Sequence, residues 1–238
     1  MTYQTSAPPL VTVCIANYNG MLVIDQCLRS VLNQKGNFSL EIIVHDDKSG
    51  DRSATYIRES YPSVTLIASN ENVGYCVANN RMAFIATGQY LLLLNNDATL
   101  MPDAIGSLVA EALRLGQPAI LTLPQYDANT DELIDMGSRL DPFLNGIPNV
   151  VASSEDVGMV AGACLWIDRF LWEKLGGFPS WFGSLAEDLF LCCYARRCGY
   201  PVRALSVSGY RHKVGFSFGG GKTTNGRLAT SFTRRALS

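Results

Sequence analysis

Leu10–Ala16 (LVTVCIA) is a short apolar, β-rich run that stops at the polar turn Asn17-Tyr18-Asn19-Gly20, the pattern of a buried strand. Residues 21–34 then carry Leu22, Ile24, Cys27, Leu28, Val31 and Leu32 at helical spacing. Glu41–Val44 predicts a second strand, ending at His45-Asp46-Asp47, and Ser53–Tyr61 a helix. Val64–Ala68 reads as a third strand, Val77–Ala86 as a helix, and Tyr90–Leu94 as a wholly apolar strand ending at Asn95-Asn96-Asp97. Met101–Leu115 predicts another helix. Residues 116–158 are less regular and contain four prolines, with Ile120–Pro124 and Val150–Ser153 as candidate strands. Beyond them the pattern predicts a strand over Met159–Asp168, helices over Arg169–Leu175 and Glu187–Cys198, and a last strand over Val202–Val207. From Gly215 onward Gly, Ser and Thr dominate, which predicts a mobile segment.

Strands alternating with helices, and strands apolar on both faces, predict an α/β fold: a parallel sheet covered by helices on both sides. In such sheets ligands bind at the carboxyl ends of the strands. The first, second and fourth strands each end in a polar cluster, and three such clusters on one sheet edge form a candidate site.

Composition adds bounds. The 238 residues, 47% hydrophobic and 17% charged, suffice for one α/β domain and argue against disorder. The opening MTYQTSAPPL has no basic, then apolar, leader pattern, and no apolar run nears the ~20 residues of a membrane span, so the expectation is a soluble or peripheral protein. Seven cysteines without a CxxC pair read as reduced core thiols. The net charge of −2 hides an asymmetry: residues 1–188 carry ten bases and all 21 acids, whereas nine Lys/Arg and no acid follow. That basic stretch is either a partner for phosphate or anionic lipid or a solvated surface.

Each candidate residue has two readings at this stage. Asp97, at the end of a buried strand, suits Mg²⁺ or Mn²⁺, which take oxygen ligands shared with substrate phosphates; equally it could cap the next helix, with Thr99 and Asp103 as rivals. Asp46 and Asp47 could accept from a nucleobase or ribose, or simply build a turn. Tyr18 could stack on a base or pack. Glu187-Asp188 could supply a general base, or be acids favoured at a helix start. His212 is a metal-ligand candidate or a structural histidine.

Taken in order, Leu10–Gly20 (LVTVCIANYNG), His45–Asp51 (HDDKSGD), Asn72–Asn80 (NVGYCVANN), Tyr90–Asp97 (YLLLLNND), Gly162–Phe178, Glu187–Gly199 (EDLFLCCYARRCG) and His212–Ser217 (HKVGFS) resemble the family-2 inverting glycosyltransferases with a GT-A fold. The resemblance covers about residues 10–217, and the Asn-Asn-Asp form is similar to a bacterial, rhamnosyltransferase-like branch. It implies one GT-A domain over 1–217, with a nucleotide-binding half over 10–115 and an acceptor-binding half over 116–217, followed by a basic flexible tail, 218–238. It implies hexosyl transfer from a nucleotide-diphosphate sugar to a glycan or lipid-linked saccharide, needing Mg²⁺ or Mn²⁺, in cell-surface polysaccharide synthesis. The implied location is the cytoplasm, at the inner membrane face, with peripheral contact through the basic segment and no nucleic-acid partner.

The resemblance also implies roles. Ala16 and Tyr18 border the nucleobase, Asp47 binds it and Asp46 supports that loop. Asn72, Gly74 and Asn80 border the nucleoside and sugar, with Asn95 or Asn96 on ribose or sugar. Asp97 and His212 bind metal, Asp188 (or Glu187) is the catalytic base, and Lys213 and Lys222 meet the diphosphate if the tail folds over it. Departures are Asn95 in place of the first acid of the DxD element, and Lys48 and Met82 in place of common glycines. Rival readings are a nucleotidyltransferase, which usually carries a Gly-rich basic loop after the first strand, and a degenerate nucleotide-sugar-binding domain. A dinucleotide oxidoreductase is disfavoured because no GxGxxG follows the first strand.

Overall fold

A computed structural model of the chain describes residues 10–151, 157–182 and 186–213. Its first half runs β1 (Leu10–Asn17), α1 (Ile24–Leu32), β2 (Ser39–Asp46), α2 (Ser53–Ser60), β3 (Thr65–Ala68), α3 (Gly74–Ile85), β4 (Tyr90–Asn95), β5 (Ala98–Leu100) and α4 (Ala104–Leu115). The second half adds β6 (Ile120–Thr122), β7 (Gln125–Asp127), β8 (Leu133–Asp135), β9 (Arg139–Leu140), β10 (Gly146–Ile147), β11 (Cys164–Asp168), α5 (Arg169–Leu175), α6 (Glu187–Arg197), β12 (Val202–Ala204) and β13 (Tyr210–His212).

Seven strands form the main sheet in the order β12-β6-β11-β4-β1-β2-β3. Val11, Val13 and Ile15 of β1 and Leu92 and Leu94 of β4 point to one face, where α1, α2 and α4 cover them. Cys14, Leu91 and Leu93 point to the other, under α3, α5 and α6. This alternation explains why the strands read as continuous apolar runs: both faces are buried.

The main sheet is mostly parallel, as expected, and its exception is β11, which runs antiparallel to both β4 and β6. An apolar run reads the same in either direction, so only pairing reveals this. The reversal brings the start of β11 to the edge where β4 ends, and the Asn95 N–H donates to the Ala163 carbonyl at 3.0 Å. Val202–Ala204 is shorter than expected and is not last. β13 follows it, in a second sheet of order β5-β13-β7-β8. Val150 and Val151 are not in a strand. The stretch from Gly215 onward lies outside the described residues. All seven cysteines are free thiols; five are buried, whereas Cys198 is exposed. Among the described residues no helix is long and apolar enough to cross a membrane.

Candidate active site

The carboxyl ends of β1, β2 and β4 are tied by side-chain amides. Asn17 donates to Asp46 at 2.8 Å and to Ser53 at 3.0 Å, and accepts from Asn96 at 2.9 Å. Gly20 makes this network possible. A Cβ there would lie 2.0 Å from Asn17 Oδ1 and 2.5 Å from Asn96 Nδ2, so any side chain would break the bond between the two strand ends.

Around this edge lies a cavity of about 380 Å³. β1 contributes Ala16 and Asn17, followed by Tyr18, and Asp47 follows β2. Asn95 and Asn96 come from the end of β4, and Asn72, Gly74, Tyr75 and Ala78 from the start of α3. Ala161–Ala163, Glu187, Asp188 and His212 close the opposite side. Ten predicted site residues therefore surround one space. Tyr18 is 53% exposed, its ring free to meet a planar ligand. Asp47 accepts from the backbone N–H groups of Val73 at 2.7 Å and Gly74 at 2.9 Å, so its carboxylate fixes the N-terminus of α3 as well as facing the cavity. Lys48 has φ +62°, a left-handed backbone that glycine adopts at no steric cost; Met82 is buried in the core.

Asn80 and Asp46 lie outside the cavity lining, and for Asp46 a loop-supporting place was the expectation. Asn80 does not line the cavity: its amide donates to the Phe178 carbonyl at 2.7 Å and accepts the Phe178 N–H at 3.0 Å, pinning α3 to the Gly176–Gly177 turn. Asp46 is consumed by Asn17 and by the Ser49 N–H and hydroxyl, so it shapes the loop instead of facing the cavity.

Asp97 is 4% exposed and lies one bond behind the cavity wall. It precedes a strand, not the helix it was a candidate to cap; the residue before α4 is Asp103. β13 pairs antiparallel with β5 so that His212 stands opposite Ala98. This register brings His212 Nε2 to 3.0 Å from Asp97 Oδ1. The other ring nitrogen is 3.2 Å from the Gln125 amide, which orients the imidazole. Asn95 Nδ2 is 3.3 Å from the same Nε2, and an amide flip presents its oxygen instead.

Asp97 and His212 are hydrogen-bonded to each other at 3.0 Å and offer one oxygen and one nitrogen donor; among the described residues no group of three or more His, Cys, Asp or Glu side chains is placed to hold a metal ion. The Lys213 N–H donates to the Asp97 carbonyl at 3.3 Å. Lys222 lies outside the described residues.

Glu187 and Asp188 open α6. Asp188 Oδ2 accepts the Gly162 N–H at 2.9 Å and Oδ1 the Leu189 N–H at 2.7 Å. Burial raises its pKa, against the pull of these donors. Glu187 is 6% exposed and its Oε2 has no partner. Burial first, and the Asp188 charge second, push its pKa up to about 8. Both carboxyls are thus pushed up by burial, and the two N–H groups that bind Asp188 favour its ionised form, whereas Glu187 has no such donors on Oε2 among the described residues.

This has a consequence for stability. The unfolded chain loses the Glu187 proton near 4.5, so folding is penalised increasingly from there up to about pH 8. Glu187→Gln, neutral at every pH, should match the wild type at pH 4. At pH 8 it should be the more stable by at least ~1 kcal/mol, roughly 2–4 °C in Tm. Equal melting temperatures at both pH values in thermal denaturation would show the carboxyl to be ionised in the fold.

Tyr75, Ala161–Ala163 and Gln125 escaped the sequence reading. Tyr75, whose hydroxyl donates to the Gly162 carbonyl at 2.8 Å, was within reach because it lies inside the Asn72–Asn80 motif. Gln125 carried no signal. A second hollow of about 500 Å³, between α4 and residues 203–207, shares none of the site residues. Its charged lining includes Glu111 and Arg114, which already pair at 2.7 Å.

The fold belongs to a known class. GalNAc-T7, solved with UDP, GalNAc and Mn²⁺, superposes with TM-score 0.72 over 86% of this chain and 44% of its own, at 18% identity, and the shared architecture is GT-A. The model of glycosyl transferase family 2 matches residues 12–176, and the chain belongs to that family. Among its relatives are the uncharacterized glycosyltransferase YibD of Escherichia coli strain K12, 35% identical over 106 residues, and a chondroitin synthase of Pasteurella multocida strain Pm70, 34% identical over 126. The matches cover 43% and 52% of this chain but 30% and 13% of those proteins, so the chain spans less than a third of either relative.

Proposed function

We propose that the chain transfers a hexosyl unit, with inversion, from a nucleotide-diphosphate sugar to an acceptor hydroxyl in bacterial cell-surface polysaccharide synthesis. The observation that carries this reading is one cavity at the strand ends, lined by Asp47, Glu187, Asp188 and His212, with Asp97 bonded to His212 behind its wall. The chondroitin synthase relative supports the polysaccharide context, and UDP and Mn²⁺ in the GalNAc-T7 structure support donor and metal. The Asn95-Asn96-Asp97 sequence favours a rhamnosyltransferase-like branch.

In this reading Tyr18 and Asp47 hold the base, Asn72, Gly74, Asn95 and Asn96 border ribose and sugar, and Lys213 adds a cation near the diphosphate. Asp97 and His212, with Asn95 beside them, would hold Mg²⁺ or Mn²⁺, which would supply positive charge to offset that of the departing diphosphate. Asp188 takes the proton of the acceptor hydroxyl as that oxygen bonds to the anomeric carbon. The anomeric bond to the diphosphate breaks on the opposite face, and inversion follows because no protein nucleophile intervenes. Residues 10–115 serve the donor and 116–217 the acceptor. The basic stretch after Leu189, free of acids, supports a peripheral site at the cytoplasmic membrane face with a lipid-linked saccharide as acceptor.

A thermal-shift screen of nucleotide-sugars with and without Mn²⁺ tests this. One donor, with metal present, should stabilise the protein by about 2.7 kcal/mol at 100 times its Kd, and only weakly without it. A panel in which no donor shifts the melting temperature in Mn²⁺ or Mg²⁺ would reject the reading.

A further inference from the structure

Four aromatic rings form a continuous ladder beside the acidic pair. Trp181 stacks on Phe182 with centroids 4.4 Å apart and planes at 19°. Phe182 meets Phe190 at 5.5 Å, and Phe190 meets Tyr194 at 6.0 Å. Phe182 is anchored on the core beneath α6. Trp181 is 76% exposed, Tyr194 40% and Phe190 36%. An exposed run of large rings costs solubility and marks a contact surface.

Its position says what for. Phe190 and Tyr194 are three and seven residues after Glu187, so they share its stripe on α6 and extend it about 10 Å from the acidic pair. Glu187, where the stripe begins, lines the cavity with Asp188, while the four rings lie beyond that lining, where the further units of an acceptor longer than one sugar would lie. The composition is aromatic, not aliphatic. The ring face is the negative end of a quadrupole, and it complements the weakly positive C–H bonds on the apolar face of a pyranose ring.

We propose that the Trp181–Phe182–Phe190–Tyr194 ladder is the acceptor platform, binding a saccharide of two or more units by stacking under its C–H faces. The assignment rests on the glycosyl-transfer reading above. A membrane surface is the competing occupant. The ladder lacks the basic side chains that anionic lipid requires until Arg196 and Arg197, one turn further on.

The chain has three tryptophans, and Trp166 and Trp172 are buried, so Trp181 dominates any solvent-sensitive change in emission. The full chain is titrated with maltotetraose, cellotetraose and N-acetylchitotetraose while tryptophan emission is read. At least one should give a saturable shift. Trp181→Phe should abolish the shift, and Tyr194→Ala and Phe190→Ala should each weaken binding about tenfold. In parallel, the KM for a saccharide acceptor should rise about tenfold in Tyr194→Ala and in Phe190→Ala. No shift with any of the three saccharides overturns the proposal, as do shifts indifferent to Tyr194→Ala and Phe190→Ala. An emission shift produced only by phosphatidylglycerol-containing vesicles assigns the ladder to a membrane and overturns the proposal. If no donor is turned over by the wild type, the glycosyl-transfer reading fails while the titration still decides whether the ladder binds sugar.

Discussion

Asp188→Asn is expected to lower kcat/KM for sugar transfer by about 10²–10⁴-fold, the range that a positioned general base contributes, while nucleotide-sugar affinity stays within about twofold. In the proposed reading the two properties separate because the base serves the acceptor hydroxyl, whereas Tyr18 and Asp47 hold the nucleobase. Its oxygens are bound by the Gly162 and Leu189 N–H groups. Asparagine keeps the shape and one acceptor oxygen but cannot take a proton. Glu187→Gln is the control: it replaces a carboxyl whose pKa burial pushes up to about 8 with a neutral isostere and should leave transfer largely intact. Steady-state kinetics with the donor found by thermal shift distinguish the two. Near-wild-type turnover in Asp188→Asn, with Glu187→Gln inactive, would move the base to Glu187.

Asp97→Asn should be nearly as damaging, at about 10²–10³-fold, by a different route. The carboxamide can keep the contact with His212 and fits the same buried space, so the fold should survive. What goes is the charged oxygen at 3.0 Å from the imidazole. With Asn95 supplying only a neutral amide, no second carboxylate of that motif compensates. Mn²⁺ affinity, followed by calorimetry with UDP present, should fall in parallel with activity, and excess Mn²⁺ should restore part of it. Unchanged Mn²⁺ binding would exclude Asp97 as a ligand. His212→Asn should be milder, since the carboxylate remains.

The reach of the sequence follows from what each feature depends on. β1, β2 and β4 were legible because burial on both faces writes an unbroken apolar run that stops at the polar edge. The site was legible for the same reason: Tyr18, Asp47 and Asn95–Asp97 stand where those runs end. β5, β7, β8 and β13 were not, because three residues carry no periodicity and exist as strands only through their partners. Without β13 the register that sets His212 against Asp97 was invisible, though the histidine itself was not. An amide that serves the Phe178 backbone, as Asn80 does, looks in sequence like one that serves a ligand. The raised pKa of Glu187 depends on burial and on the Asp188 charge, and burial is not legible in sequence.

The β13–β5 pairing also sets a timetable. Asp97 and His212 are separated by 115 residues, so at ~5–20 residues per second a ribosome makes the carboxylate roughly 6–23 s before its imidazole partner. During that interval the nascent chain can carry a formed β1–β4 sheet without the complete pair. Synthesis interrupted between β12 and residue 210 would leave a product that contains every strand of the main sheet, yet lacks the strand that closes the Asp97 site.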